Sequence, residues 1–526
     1  MKKLMNLKSV VSLLTLALVF VVVACSDDVL DQQNNNATST ANFGTSVEQV
    51  EAAVNGAFHP ITGTFFWGRI VHTGALLRSD EFNIFPFGSN TAMSTFQGNP
   101  GDRWATEPWQ ELYKSIARCN NIIVNTSTTA IPTADYNALV GQAYFLRAFD
   151  YWYLVNLYGN VPLITDLPDL DNLLVNQATM QEVWTQIIAD LEMAEQMLPS
   201  SWSGENLGRP TSGAARALKG KSYLYMGDWS NAHQTLDDLV GQYSLLPAAQ
   251  FGDNFTTTNE NNSESVFELQ FLGQANFVWG SDIPQTGTMG NYHIDYAPPA
   301  KSPDQSHVVN PWLRALFEAN GDTFRRNETL AYDYTGATGY GGLPFNTDFV
   351  DDIPVATDAN VEPIFSKKYS GMDLGTRGEV DFLGTNVGNN WRVIRYADVL
   401  LMLAEALNED GMTMSAGNYV NMVRERAGSG LTPISTALSQ ADMRQAIIDE
   451  RAMELAGEGH RFFDLVRWNL ADDYLGQTSL HVTNGSQTYH PKSLSGGTYQ
   501  TSKHELIWIP NSELDANPNL TQNPGY

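Results

Sequence analysis

Cysteine is nearly absent from this chain. Its 526 residues include two, Cys25 and Cys119, which is too few for a disulfide framework. Basic residues are also scarce, with 30 Lys and Arg against 58 Asp and Glu and a net charge of −28. Such a surface repels phosphate backbones, so no nucleic-acid partner is expected. It also disfavours anionic polysaccharides unless a basic patch intervenes. Catalytic signatures are missing: there is no GxSxG, HExxH, CxxC or P-loop, and no GxGxxG opening a helix. The 9 His lack metal-ligand spacing. So acidic a chain leaves room for a structural calcium, although no EF-hand spacing supports one; no cofactor is expected.

What is present begins with an address. Lys2, Lys3 and Lys8 precede an apolar run from Val10 to Ala24, about the length of a secretion signal and short for a bilayer span. Residues 1–24 are read as that signal. The run ends Val22-Val23-Ala24-Cys25 and resembles a bacterial lipobox, in which the thiol is acylated and becomes the mature N-terminus. Several acyl chains anchor stably where one does not. The alternative is an ordinary signal followed by an incidental Cys. Residues 25–41 are polar and of low complexity, and read as a tether.

Hydrophobic residues make up 43% of the chain, with 12 Trp, 21 Tyr and 24 Phe, so a folded, ring-rich body follows the tether. Apolar spacing predicts helices over 45–58, capped by Thr45 or Ser46, and over 107–125, 134–158 and 179–198. Another is expected over 211–226, ending in the turn Gly227-Asp228-Trp229 before a second helix through Ala232. The same layout returns at 392–427, with the stripe Tyr396, Leu400, Leu403, Leu407, the turn Glu409-Asp410-Gly411 and a helix over 416–427. These are tetratricopeptide-like hairpins, unevenly spaced. The stretch 62–102 has no clear period and reads as loops. Between the helical parts, 265–271 alternates as a strand and is followed by Gly-, Pro- and aromatic-rich loops. The tail suggests a short strand over Leu506–Ile509. The expected organisation is a helical half over 42–241, a loop-rich binding-face insertion over 242–390 and a second helical half over 391–526. The fold class is mainly α, with long irregular loops and a few short strands.

The loop aromatics carry the functional expectation. Trp and Tyr rings bury the apolar C–H faces of sugars while neighbouring polar groups bind hydroxyls. The candidates are Trp67, Phe85, Phe87, Trp104, Trp279, Tyr292 and Tyr296; each is also a candidate for simple core packing. Trp109, Trp229 and Trp468 fall on helical faces and read as packing. Adjacent acids such as Asp80-Glu81 and Asp351-Asp352 suit glycosidase chemistry in type, but adjacent acids are common in so acidic a chain. The stretch Ile447–Trp468 (IIDERAMELAGEGHRFFDLVRW) crowds charges among large apolar residues around Gly457-Glu458-Gly459. Glu458, His460 and Asp464 could be drawn as an acid–base site. Beside Arg451, Arg461 and Arg467 they read instead as a structural brace.

Several stretches together resemble one family. They are Leu146-Arg147-Ala148 through Tyr158-Gly159-Asn160-Val161-Pro162-Leu163; Ala214-Ala215-Arg216-Ala217-Leu218 with Met226-Gly227-Asp228-Trp229; Arg395 to Leu401 with Ala404-Glu405-Ala406; Val423-Arg424-Glu425-Arg426-Ala427-Gly428; Glu450 to Trp468; and Ile509 to Leu514 with Gln522 to Tyr526. As an ordered set behind a lipobox, they resemble the SusD/RagB nutrient-binding outer-membrane lipoproteins of Bacteroidetes. Ser26-Asp27-Asp28 after Cys25 likewise resembles their surface-export signal. The resemblance implies a helical tetratricopeptide-like scaffold, lipid-anchored at Cys25 on the outer membrane and facing the cell surface. It further implies capture of oligo- or polysaccharide without catalysis, as the lid of a SusC-type TonB-dependent transporter. Binding loops of this family do not align by motif, so the aromatic candidates rest on this sequence alone. The competing expectation is a tetratricopeptide-like scaffold that bridges outer-membrane proteins and binds no glycan.

Overall fold

The structure is a computed structural model. It describes residues 43–63, 65–67, 70–84, 91–167, 169, 173–271, 307–337, 364–371, 388–476, 481–483, 487–489 and 497–526. Helices dominate. Helix α1 (Val47–Thr62) starts where the Ser46 hydroxyl accepts the Gln49 backbone N–H, and runs past the expected end through Pro60. The loops expected over 62–102 include two helices and a strand: α2 (Ile70–Arg78), β1 (Phe82–Ile84) and α3 (Thr91–Thr95). The helix α2 was hidden because its described side chains, Val71 and those from Ala75 to Arg78, are all buried. With its described side chains all buried, this stretch offers no wet face to set an amphipathic period.

The scaffold follows as antiparallel hairpins. Helix α4 (Arg103–Asn125) packs on α1 and on α5 (Thr133–Tyr158), and α5 on α6 (Met180–Met197). A full capping box at Thr179 and Glu182 starts α6. Helix α7 (Ser212–Tyr225) pairs with α8 (Trp229–Asp237) through the Gly227 turn, where φ is +73°. A Cβ at Gly220 would stand 2.5 Å from Leu236, so the two helices meet where that side chain is missing.

The chain then forms β2 (Ser265–Leu269), β3 (His307–Val309), α9 (Pro311–Ala319), α10 (Thr323–Thr329), β4 (Leu330–Ala331) and β5 (Phe365–Ser366). The 242–390 region is therefore not all loop. The order β1–β3–β5–β4, antiparallel throughout, joins it to the N-terminal half through the register Phe82 to Val309. The helix expected from 392 is instead strand β6 (Trp391–Arg395), antiparallel to β2, and helix begins only at α11 (Tyr396–Glu409). All five β6 residues are buried, and a short run buried on both faces carries no period to separate strand from helix.

Helix α11 packs on α8 and on α12 (Thr413–Arg424), continuing the stack of hairpins. It is followed by α13 (Gln440–Glu454), capped by the Ser439 hydroxyl, and α14 (Arg461–Arg467). Between these two, Gly457 and Gly459 turn the chain at φ +75° and +84°. In the tail, Leu506–Ile509 makes no ladder. The Ile507 N–H donates to the Leu157 carbonyl at 2.8 Å, and the tail's regular element is the helix α16 (Asn511–Ala516), after α15 (Ala471–Leu475). One apolar core runs from Val50 to Ile509 across both helical halves.

Candidate functional site

Two of the seven aromatic candidates have described placements, and both are buried. Trp67 is 3% exposed, edge-on to Tyr153 and Trp391 at 5.3 and 6.1 Å between ring centroids. Trp104 is 4% exposed at the first turn of α4. A ring that stacks on sugar must offer a face, so these two are corrected to core residues. Phe85, Phe87, Trp279, Tyr292 and Tyr296 lie outside the described residues, as do Cys25 and the Asp351-Asp352 pair. Trp109 is buried against Tyr158 at 5.0 Å, as its helical position predicts. The described residues hold no group of three or more His, Cys, Asp or Glu able to bind a metal ion.

The 447–468 stretch resolves into buried ionic clusters. Glu454 accepts from Arg395 at 2.7 Å, from Arg325 at 2.8 Å and from Arg426. One helical turn earlier, Glu450 accepts from Arg325 and Arg424, both at 2.7 Å. Glu458 binds Lys368 at 2.8 Å and both Nε and Nη2 of Arg395. Arg395 also reaches Glu264 at 2.6 Å. These cations come from α10, β6, the loop after β5 and the end of α12. Each was invisible as a partner because nothing in 447–468 names residues 26 to 129 positions away. The one available hint was the pair of Arg in an otherwise apolar strand, Trp391–Arg395.

A second cluster sits on the other side of the turn. Arg451 holds Asp464 and Asp398, both at 2.8 Å. Lys221 reaches Asp398 at 3.3 Å and the His460 Nδ1 at 3.2 Å. Arg467 and the Trp468 indole N–H share Glu405, the latter at 2.7 Å. Burial, then the neighbouring Lys221 charge, brings His460 down to about 4, so the imidazole is neutral near pH 7. Burial works against Glu458 and Asp464, yet the guanidinium charges of Arg395 and of Arg451 prevail and hold both carboxyls below their usual value.

Asp80 is gripped by Arg461 through two bonds of 2.9 Å. Beside it, burial and the Asp80 charge push Glu81 up to about 8. Chemically, this arrangement is a brace. The carboxylates lie between guanidinium groups at contact distance and are closed to solvent, so a substrate cannot reach them. The acid–base drawing of Glu458, His460 and Asp464 is set aside on these contacts.

Two family models match this chain: the SusD family over residues 383–526, and "Starch-binding associating with outer membrane" over residues 29–224. The chain belongs to the SusD/RagB family. It is similar to SusD-like protein P2 of Formosa agariphila, with 29% identity across 97% of this chain and 98% of that protein. The starch-binding protein SusD of Bacteroides thetaiotaomicron is 22% identical, across 73% of this chain and 72% of that protein. Among solved structures, a SusD superfamily protein from Bacteroides vulgatus aligns with a TM-score of 0.75 at 24% identity, over 92% of this chain and all of that one. A laminarin-binding SusD-like protein aligns at 0.70 with 26% identity, over 91% and 99%.

Proposed function

We propose that this protein captures a neutral oligo- or polysaccharide at the outer-membrane surface and presents it to a SusC-type TonB-dependent transporter. It acts as that transporter's lid and is anchored by acylated Cys25. The supporting observation is the combination of a SusD-type scaffold with relatives described as starch-binding and laminarin-binding. In this reading 42–241 and 391–526 form the scaffold, and 242–390 carries most of the binding face. The aromatic arc is Phe85, Phe87, Trp279, Tyr292 and Tyr296. The net charge of −28 favours a neutral glycan. Binding is by stacking and hydrogen bonds with no covalent step, and the closed pairing of the buried carboxylates suits a protein without catalysis.

The test is titration of the mature protein with laminarin and with soluble starch, followed by tryptophan fluorescence and calorimetry, alongside a reducing-end assay. Saturable binding without release of reducing ends is the expected result. If neither these nor a wider panel of neutral polysaccharides binds, the glycan reading falls. Co-purification of a TonB-dependent transporter, and loss of acyl labelling in Cys25→Ser, test the lid and the anchor.

A further inference from the structure

A cleft of about 170 Å³ lies between the 200–211 segment and the start of β2. It shares no residue with the candidate aromatic arc or the ionic clusters. Its apolar wall is Trp202 and Tyr243, both half-buried. The Trp202 indole N–H donates to the Pro210 carbonyl at 2.8 Å, which fixes the ring. Gly213 leaves room for Tyr243, since a Cβ there would stand 2.3 Å from the phenol oxygen.

Asn261 also lines the cleft, and its amide is paired with that of Gln270. Asn261 Nδ2 donates to Gln270 Oε1 at 3.0 Å, and Gln270 Nε2 donates back to Asn261 Oδ1 at 3.1 Å. Asn261 holds a left-handed backbone, φ +51°, a conformation that Asn and Asp adopt more readily than other non-glycine residues. Here its backbone N–H is held by Glu268 at 3.0 Å. Glu268 is itself buried and paired with Arg392 at 3.2 Å, so the cleft offers no free carboxylate. The 200–211 segment is tied down as well. Arg209 donates to Asn206 and Glu51 at 2.8 Å and to Gln142 at 3.1 Å.

A fixed indole, a phenol and a pre-set amide, in a small cleft whose Arg209 and Glu268 are both paired, match one kind of guest. We propose that this cleft is an accessory subsite for a single neutral sugar ring, a chain end or branch of the captured glycan. The ring stacks on Trp202, and a hydroxyl meets the second amide hydrogen of Asn261. A volume below the roughly 300 Å³ of ordinary ligand pockets admits one ring and not a chain. The inference rests on the glycan-binding reading. It adds a second contact point at the root of the segment, since β2 runs into the stretch that carries Trp279.

Calorimetric titration with laminarihexaose and maltohexaose tests it, using the mature wild type, Trp202→Ala, Asn261→Asp and Trp279→Ala. We expect Trp202→Ala and Asn261→Asp each to weaken the better ligand by about fivefold to tenfold while the protein stays folded at the titration temperature. Asn261→Asp keeps the size and the left-handed tolerance, so it decides the matter if Trp202→Ala fails to fold. If both variants bind as the wild type does while Trp279→Ala loses affinity, the accessory subsite is wrong and the glycan reading stands. If the wild type binds neither hexaose nor any neutral polysaccharide on affinity gels, both fall together.

Discussion

Arg395 spans both oxygens of Glu458, Nε at 2.7 Å and Nη2 at 2.9 Å. The bond joins the last residue of a strand to the centre of the Gly-Glu-Gly turn, and through it the β2–β6 pair to the last two helices of the brace. Removing one member leaves its partners charged and dry. Glu458→Ala should therefore cost about 3–5 kcal/mol of unfolding free energy. Exposed Glu192→Ala should stay within about 0.5 kcal/mol. Guanidinium denaturation of both checks this, and similar losses would mean that the turn tolerates an unpaired Arg395.

The pH profile of stability should fall on both sides, for different groups. His460 is brought down to about 4 by burial and Lys221, so the stability linked to its neutral form is complete above its ordinary value near 6.5 and is lost as pH falls toward 4. Glu458 and Asp464, held below their usual value, extend that acid loss. Glu81 runs the other way. Its folded value of about 8 lies above the ordinary 4.5, so its contribution is complete below pH 4.5 and erodes as pH rises through 8. In Glu81→Gln the alkaline decline should flatten while the acid arm keeps its shape. Urea midpoints at pH 5, 6.5 and 8.5 measure both arms, and an alkaline slope unchanged in the variant would rule out Glu81 as its source.

Stability and glycan binding should separate between two tryptophans. Trp104, 4% exposed, is core, so Trp104→Ala should cost about 3–5 kcal/mol and leave affinity intact in the folded fraction. Trp279→Ala should leave the melting temperature in place and weaken the glycan tenfold or more. Thermal melts paired with titrations read both, and the reverse pattern would move the site from the 272–306 segment to the α4 end.

The α7–α8 hairpin offers a packing test. A methyl at Gly220 would meet Leu236 at 2.5 Å. Gly220→Ala should then destabilise by about 1–3 kcal/mol, although alanine is the better helix former. A stabilised variant would show that the helices have slack.

Much of the scaffold was legible because its helices have one wet face. Ser46, Thr179, Thr211 and Ser439 cap where a hydroxyl precedes an apolar stripe. The failures share a cause. The described side chains of helix α2 and all of strand β6 are buried and lose the period that would identify them, while Leu506–Ile509 looks extended but binds only through isolated contacts. At the site, Trp67 and Trp104 sit in ring-rich, Gly-broken sequence like that of a loop. Only burial in the folded core, for Trp67 against Tyr153 and Trp391, distinguishes them. Trp202 went unnoticed because Tyr243 and Asn261, which line the same cleft, are far along the chain.

The tail's contacts bear on when the protein can fold. The Arg78 guanidinium binds the His504 carbonyl, 426 positions away, and Asn523 caps the Tyr158 carbonyl across 365. The hydrophobic core around α5 is thus sealed by a stretch translated after everything it covers. Closure over such separations is slow, and it cannot finish on a ribosome that still holds the tail.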